Sequence, residues 1–121
     1  SNYRLEILNM LSFSTSAPHK LLGQIKSKIA EGHITTWACD SDGDFTHSPP
    51  QWIRKAWLRP TVVEGKALQF GIIFPNGAQA GREIYAVYHG RFTEMMLAHF
   101  DSDFSQVTAS ALLASSIDRA A

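Results

Sequence analysis

The segment Glu83–Phe100, EIYAVYHGRFTEMMLAHF, constrains the fold most, because two hydrophobic periods meet in it. From Ile84 to Tyr88 residues alternate with a period of two, and the β-branched and aromatic content favours a half-buried strand. After Gly90 the apolar spacing becomes three and four, as on one face of a helix. The residues on that face are Phe92, Met95, Met96, His99 and Phe100. The pattern predicts a strand, a one-residue pivot at Gly90 and a helix that ends before Asp101.

The predicted corner between this strand and this helix is a candidate anion-binding site. A helix N-terminus presents free backbone N–H groups, and these groups attract anions. His89 and Arg91 flank the corner, and Arg91 adds a full positive charge. The alternative is an ordinary turn with a solvated charge, since most helix N-termini contact only water.

The rest of the chain supplies one more helix and five more strands. Serine and threonine residues before Pro18 predict a helix start there, and Gly32 predicts its end. In the first strand the alternation of apolar and polar residues becomes irregular, which indicates a bulge or burial on both faces. The Ser48–Arg54 segment is predicted to form a short helical turn, and Pro75–Gly81 a loop. The predicted strands are Tyr3–Phe13, His33–Cys39, Trp57–Val63, Leu68–Phe74 and Gln106–Ala111.

Six strands and two amphipathic helices predict one α+β domain over residues 1–121, with 113–121 as a frayed tail. We expect a two-layer sandwich: both helices cover one face of a mostly antiparallel sheet, in a ferredoxin-like arrangement with an added hairpin. The opposite face would carry Trp, Tyr and Ile side chains. Such a face needs a dimer partner, a ligand or the Ser48–Arg54 segment to cover it.

Composition limits the classes of partner. Lys plus Arg and Asp plus Glu both number 11, so the net charge is zero and nothing indicates a nucleic-acid or anionic-membrane surface. No apolar run approaches a membrane span in length. The single cysteine, Cys39, favours a reducing compartment and a buried structural role, and the cytoplasm is the expected location. A near-neutral surface also tolerates self-association, so we expect a homodimer.

A second candidate site joins the two predicted helix starts. If the strands that end near Phe13 and Tyr88 are parallel neighbours, Ser16 and His19 would face the His89–Arg91 corner. Hydroxyl, imidazole, guanidinium and backbone N–H groups together suit a phosphate or a carboxylate. Two ordinary helix caps are the alternative.

Two further sets of residues have chemical potential. Trp52 and Trp57, with Trp37 nearby in sequence, could stack on a flat or cationic ligand, or could pack in the core or at an interface. The Asp40–Asp44 turn spaces its acids like the start of a calcium loop. Phe45 and Gln51 then break that pattern, which excludes an EF-hand.

A looser cation site at this turn would need His47, or the acids and histidine near Asp101, to be brought close by folding. A solvated turn is the simpler interpretation. We predict no metal, no cofactor and no catalytic residue, since no signature motif with a mechanism is present.

Three blocks, TWACDSDGDFTHSPPQW, KAWLRP and YAVYHGRFTEMMLAHFD, resemble small orphan proteins carried on the gene cassettes of bacterial integrons. The resemblance covers the middle of the chain and the Glu83–Phe100 segment, not the tail. It implies a small bacterial cytoplasmic protein on a mobile element, accessory rather than housekeeping. It transfers no activity and no site residue.

Together these observations predict a non-enzymatic binding or interaction domain that forms a homodimer and takes a small anionic or aromatic ligand. One alternative is a small enzyme that acts on an anionic substrate at His89 and Arg91. Another is an antitoxin-like or immunity-like partner of a second protein.

Overall fold

The computed structural model describes residues 4–75 and 81–111. The predicted tail 113–121 and most of the predicted Pro75–Gly81 loop lie outside these residues. Along the described chain lie β1 (Arg4–Ser14), α1 (Pro18–Ala30), β2 (Trp37–Cys39), β3 (Phe45–His47), β4 (Trp57–Val63), β5 (Ala67–Phe74), α2 (Arg82–Phe100) and β6 (Val107–Ala109).

The strands form one sheet in the order β2-β3-β4-β5-β1-β6, with antiparallel neighbours throughout. The predicted α+β class, with an antiparallel sheet and two helices, is therefore confirmed for the described residues. The two-layer sandwich and the ferredoxin-like arrangement stay predictions, because this strand order does not confirm them.

Strand β1 contains the predicted bulge. Its register against β5 shifts between Glu6, which pairs with Ile72, and Met10, which pairs with Gly71. The extra residues on β1 explain why the alternation of its sequence is blurred there. Beyond the bulge, Leu11 and Phe13 are fully buried.

Helix α1 follows its sequence pattern closely at its end. Gly32 adopts a left-handed backbone with φ of 80°. The His33 N–H donates to the Lys28 carbonyl at 3.0 Å and the Gly32 N–H to the Ile29 carbonyl at 3.1 Å, which satisfies two terminal carbonyls. The helix starts at Pro18 as predicted, but the expected serine or threonine cap is absent, because the N-cap is Ala17 and no side chain caps it.

The predicted strand at Ile84–Tyr88 is wrong, because these residues belong to α2. The apolar face that begins at Phe92 in fact continues backwards by about two turns, through Tyr88 to Tyr85. Ala86, which the alternation placed with Ile84 and Tyr88, is exposed. The alternation of Ile84, Ala86 and Tyr88 thus arises by chance within a longer segment that has a helical period.

Two short strands also differ from the sequence interpretation. The predicted strand His33–Cys39 is reduced to β2, which begins at Trp37. Strand β3 was not predicted; it pairs with β2 through the Asp40–Asp44 turn, in which Gly43 has φ of 86°. The predicted sharp turn is therefore confirmed, and it is the turn of a hairpin.

Phe92 of α2 lies at the centre of the hydrophobic core. Its ring centroid is 4.6 Å from that of Phe70 on β5, 4.9 Å from that of Trp37 on β2 and 6.1 Å from that of Phe13 on β1. Leu21 and Ile25 of α1 belong to the same buried cluster. One buried hydrophobic cluster, with aromatic contacts at its centre, thus joins both helices to the sheet.

The opposite face of the sheet is less apolar than predicted. The alternate residues of its middle strands include Arg59, Thr61, Gln69 and Gly71, and Thr61 is exposed. Apolar residues on this face lie at the two ends of the strand pair, where Trp57 pairs with Ile73 and Val63 pairs with Ala67. The expectation that this face needs an apolar cover was therefore wrong for its centre.

Replacing Phe92 by Ala should destabilise the protein by about 3–5 kcal/mol, because the cavity would open among rings that cannot all collapse into it. Leu97→Ala, in the same helix but 51% exposed, should cost much less. Urea denaturation of both variants checks this. Similar losses for the two variants would contradict the central position of Phe92.

Candidate functional site

A groove of about 470 Å³ lies between the C-terminal half of α2 and the segment that follows β3. It is referred to below as the α2 groove. Its lining residues are Thr36, His47, Pro49, Gln51, Trp52, Arg91, Glu94, Met95, Ala98 and His99. The lining combines a large aromatic side chain with imidazole, amide and charged groups.

One wall of the α2 groove is a turn that backbone hydrogen bonds hold in shape. The N–H groups of Trp52 and Ile53 both donate to the Pro49 carbonyl, at 2.8 and 2.9 Å. Arg54 has a positive φ of 58°, and its N–H donates to the Thr46 hydroxyl at 2.9 Å. The predicted helical turn in this segment is thus a tight turn.

Tyr88 attaches this turn to α2. Its hydroxyl donates to the Trp52 carbonyl and lies 3.0 Å from the Thr46 hydroxyl. The Tyr88 ring is fully buried, so its polar tip needs these partners. The turn and the helix are therefore held at a fixed separation, which keeps the α2 groove open between them.

The other wall comes from α2, where helical spacing aligns Arg91, Glu94, Met95 and Ala98. Arg91 and Glu94 form an exposed ion pair at 3.3 Å, so together they bring no net charge to the groove. Met95 is buried and supplies an apolar floor beside Trp52.

His47 is the most constrained polar side chain of the α2 groove. It is 5% exposed, and its Nδ1 lies 2.8 Å from the Thr36 carbonyl oxygen. Its ring centroid is 4.6 Å from that of Trp37. Burial lowers the pKa of His47, and the nearby Arg91 guanidinium lowers this pKa further. Neutral imidazole is therefore the stable form at pH 7.

The structure brings two of the six predicted site residues together. Trp52 and Arg91 both line the α2 groove. Trp57 lies on β4, where it pairs with Ile73 rather than sharing the groove with Trp52. Ser16 is exposed before α1, and His19 lies 2.8 Å from Glu64 in an exposed pair.

The predicted meeting of the two helix starts is wrong. Strands β1 and β5 are antiparallel, with Ser14 opposite Ala67 and Arg4 opposite Phe74. Helix α1 follows the Ser14 end of β1, whereas α2 follows the Phe74 end of β5. The two helices therefore begin at opposite ends of this strand pair.

The predicted His89–Arg91 corner is also absent, since both residues lie within α2. His89 is 5% exposed and stacks on Tyr85, with ring centroids 3.8 Å apart. Its Nδ1 lies 2.9 Å from the Tyr85 carbonyl oxygen, while its Nε2 is buried without a hydrogen bond from the described residues. Burial lowers the pKa of His89 to about 4. Arg91 points instead to the surface.

The Asp40–Asp44 turn uses its carboxylates internally. Asp40 Oδ1 accepts hydrogen bonds from the N–H groups of Asp42 and Asp44, both at 2.9 Å. Asp44 forms a largely buried ion pair with Arg59 at 2.8 Å. The carboxylate oxygens of Asp40, Asp42 and Asp44 lie within 4.8 Å of one another. Among the described residues, no histidine joins this cluster, so the looser cation site with His47 is not formed.

Comparisons with known proteins give no match among protein-family models, curated proteins or solved structures. Within residues 4–75 and 81–111, no helix is both long enough and apolar enough to cross a membrane. The account of function therefore depends on the geometry of the α2 groove.

Trp52 and Arg91 of this groove were predicted from the sequence as site residues, whereas His47 was not. His47 was considered only as a possible partner of the acidic turn, because it follows that turn directly. A prediction of β3 would have identified His47, because this Phe-Thr-His strand pairs with β2 and places His47 opposite Trp37. The helical period through Tyr88 would likewise have placed Glu94 and Met95 beside Arg91.

The free energy of unfolding should fall as the pH decreases from about 6.5 towards 4, because unfolding lets His89 take up a proton that the folded core excludes. Its folded pKa is depressed, so this stability is present above the unfolded pKa and is lost below it. Between pH 7 and pH 5 the His89 contribution should be about 2 kcal/mol.

The control for this prediction is His89→Leu, which keeps the volume and removes the titration. Carboxylates and other histidines titrate in both proteins, so the difference between their pH profiles isolates His89. Equal losses of unfolding free energy between pH 7 and pH 5 would contradict the buried, neutral state of His89.

Proposed function

We propose that this protein is a non-enzymatic binding domain and that the α2 groove takes a small, flat, neutral molecule. The observation that carries this proposal is the combination of Trp52 and Met95 with a fixed polar group, His47, in one cavity. Binding sites for small molecules typically combine an apolar surface with a few precisely placed polar groups.

The size of the α2 groove supports a small ligand. A volume near 470 Å³ lies within the range of about 300–1,000 Å³ that is typical of small-molecule sites. Trp52 is half-buried, so its ring is held by the core and still presents a face for stacking. A flat ring is the shape that uses such a surface best.

The charges of the groove favour a neutral ligand over an anion. Arg91 already has Glu94 as its partner at 3.3 Å, and His47 is neutral at pH 7. An anion would have to compete with the Glu94 carboxylate for Arg91. We therefore retain the aromatic ligand that the sequence analysis expects and replace the anionic ligand by a neutral one.

The groove suits recognition better than reaction. Among the residues that the structure describes, the lining includes neither serine nor cysteine, and Cys39, whose pKa is raised by burial, lies outside it. The alternative of an enzyme at the His89–Arg91 corner has no support in this geometry, because His89 is buried in the core and Arg91 is exposed.

Flat neutral heteroaromatic fragments should raise the melting temperature of the wild-type protein, and Trp52→Ala should abolish this rise. A ligand at a hundred times its dissociation constant stabilises by about 2.7 kcal/mol, which is several degrees for a domain of this size. Phosphate and acetate serve as the anionic comparison in the same thermal-shift screen and should have little effect.

The matched control is Trp57→Ala, which removes another half-buried indole from outside the α2 groove. Both variants lose packing, so their ligand-free stabilities should both fall. Fragments that stabilise Trp52→Ala as strongly as Trp57→Ala would contradict a site at Trp52, and a response to anions alone would contradict a neutral ligand.

We also propose that the protein self-associates through the outer face of α2. Leu97 is a large hydrophobic residue on this face and is 51% exposed, and Ala86 and Gly90 lie on the same side of the helix. Arg91 and Glu94 flank this strip, so an antiparallel pairing of two such helices about a twofold axis could bring opposite charges together. An exposed glycine does not by itself indicate an interface, since Gly23 of α1 is also exposed.

Gly90→Leu should weaken self-association at least tenfold, because its side chain would occupy the surface where the second helix packs. The control is Gly23→Leu in α1; no other group lies within 4 Å of a Cβ added at either glycine, so both variants should fold. Sedimentation equilibrium measures the effect. A wild-type protein that stays monomeric at millimolar concentration, or equal association of the two variants, would contradict this interface.

A further inference from the structure

The orientation of the His47 ring is fixed on two sides. Nδ1 lies 2.8 Å from the Thr36 carbonyl oxygen, and the ring packs against Trp37 and, at 6.1 Å between centroids, against Tyr88. A ring flip would replace the Nδ1 contact by a carbon and would leave the carbonyl without this donor. One edge of the His47 ring therefore contacts Thr36, and the edge that carries Nε2 does not.

The contact with Thr36 also fixes the tautomer of His47. A carbonyl oxygen can only accept a hydrogen bond, so Nδ1 carries the proton. In a neutral imidazole the other nitrogen, Nε2, then holds a lone pair and acts as an acceptor. Burial and Arg91 both lower the pKa of His47, which keeps this lone pair available at neutral pH. The opposing influences, the hydrogen bond to Thr36 and the charge of Glu94, are smaller than the effect of burial.

The edge of His47 that is left for the α2 groove carries Nε2, because Nδ1 contacts the Thr36 carbonyl oxygen. His47 is one of the residues that line this cavity. Within the described chain, no residue donates a hydrogen bond to Nε2, yet Nε2 is not sealed in the core as the Nε2 of His89 is. An acceptor that receives no hydrogen bond from the described residues is satisfied either by water or by a ligand donor.

We propose that His47 Nε2 determines the specificity of the α2 groove by accepting a hydrogen bond from an N–H or O–H group of a flat, neutral ligand. This inference rests on the proposed binding function of the groove and adds the class of ligand: an aromatic or heteroaromatic molecule with a donor on its edge. Molecules of the same shape without that donor should bind more weakly, because they would displace water from Nε2 and leave it unpaired.

Indole and benzofuran form a suitable pair of probes, because they have the same bicyclic shape and differ in one ring atom. Indole carries an N–H donor where benzofuran carries an oxygen. Titration of ¹⁵N-labelled protein with each probe, followed by amide chemical shifts, gives the affinity and locates the site. Indole should bind with about three- to tenfold higher affinity than benzofuran, and shifts should cluster at Trp52, Met95 and His47.

Two variants isolate the acceptor. His47→Asn retains a side-chain donor near the position of Nδ1 for the Thr36 carbonyl and removes the Nε2 lone pair. His47→Phe retains an aromatic ring against Trp37 and also removes the lone pair, so it serves if the Asn variant does not fold. In both variants indole and benzofuran should bind with nearly equal affinity.

The response of the Nε2 resonance to the two probes provides a readout that a merely structural histidine would not show. Long-range ¹H–¹⁵N correlation of the His47 ring at pH 7 should show protonated Nδ1 and unprotonated Nε2, and the Nε2 resonance should move when indole is added but much less with benzofuran. A protonated Nε2 in the free protein would overturn the proposal.

The outcomes separate this inference from the function on which it rests. If both probes bind at Trp52 with equal affinity in the wild type, the binding function stands and the role of His47 is wrong. If neither probe shifts residues of the α2 groove, both the binding function and the role of His47 are wrong. A preference for indole that persists in His47→Asn or His47→Phe would also overturn the assignment.

Discussion

The packing of Phe92 against rings from four strands is the constraint on which the rest of the structure depends. The contacts of Phe92 with Phe13, Trp37 and Phe70 set the rotation of α2 about its own axis. That setting decides where the neighbouring residues point. Arg91, one residue earlier, and Met95, three residues later, are thereby directed towards the turn after β3.

The second constraint is the polar tip of Tyr88, one turn before Phe92. A buried tyrosine hydroxyl requires a partner, and here it reaches both the Thr46 hydroxyl and the Trp52 carbonyl. The same residue thus contributes its ring to the core and its oxygen to the wall of the α2 groove. The groove is consequently a preformed feature of the fold, which reduces the free-energy cost of ordering a site when a ligand binds.

The sequence predicted the elements whose signals are local. The end of α1 at Gly32, the bulge in β1 and the turn at Asp40–Asp44 all depend on a few adjacent residues, and the structure confirms them. The first half of α2 failed because Ile84, Ala86 and Tyr88 alternate by chance. The helical period is the longer pattern, because it extends from Tyr85 to Phe100 and continues through Gly90 without a break.

The candidate site was much less predictable than the fold. Its two walls come from residues about forty positions apart, and their meeting depends on β3, a strand of three residues that is too short to show a periodic pattern. Trp52 and Arg91 were identified for the chemistry of their side chains, without the contact that unites them. His47 is a candidate site residue because it contacts the Thr36 carbonyl and is buried. The spacing of residues in the sequence reveals neither property.

A crystal structure of the protein soaked with flat donor-bearing fragments tests the central claim most directly, because it shows position and hydrogen bonding together. The account predicts fragments in the α2 groove, with a ring against Trp52 and a donor atom within about 3.2 Å of His47 Nε2. Fragments found consistently elsewhere, or a groove that closes because Trp52 packs onto Met95, would contradict it.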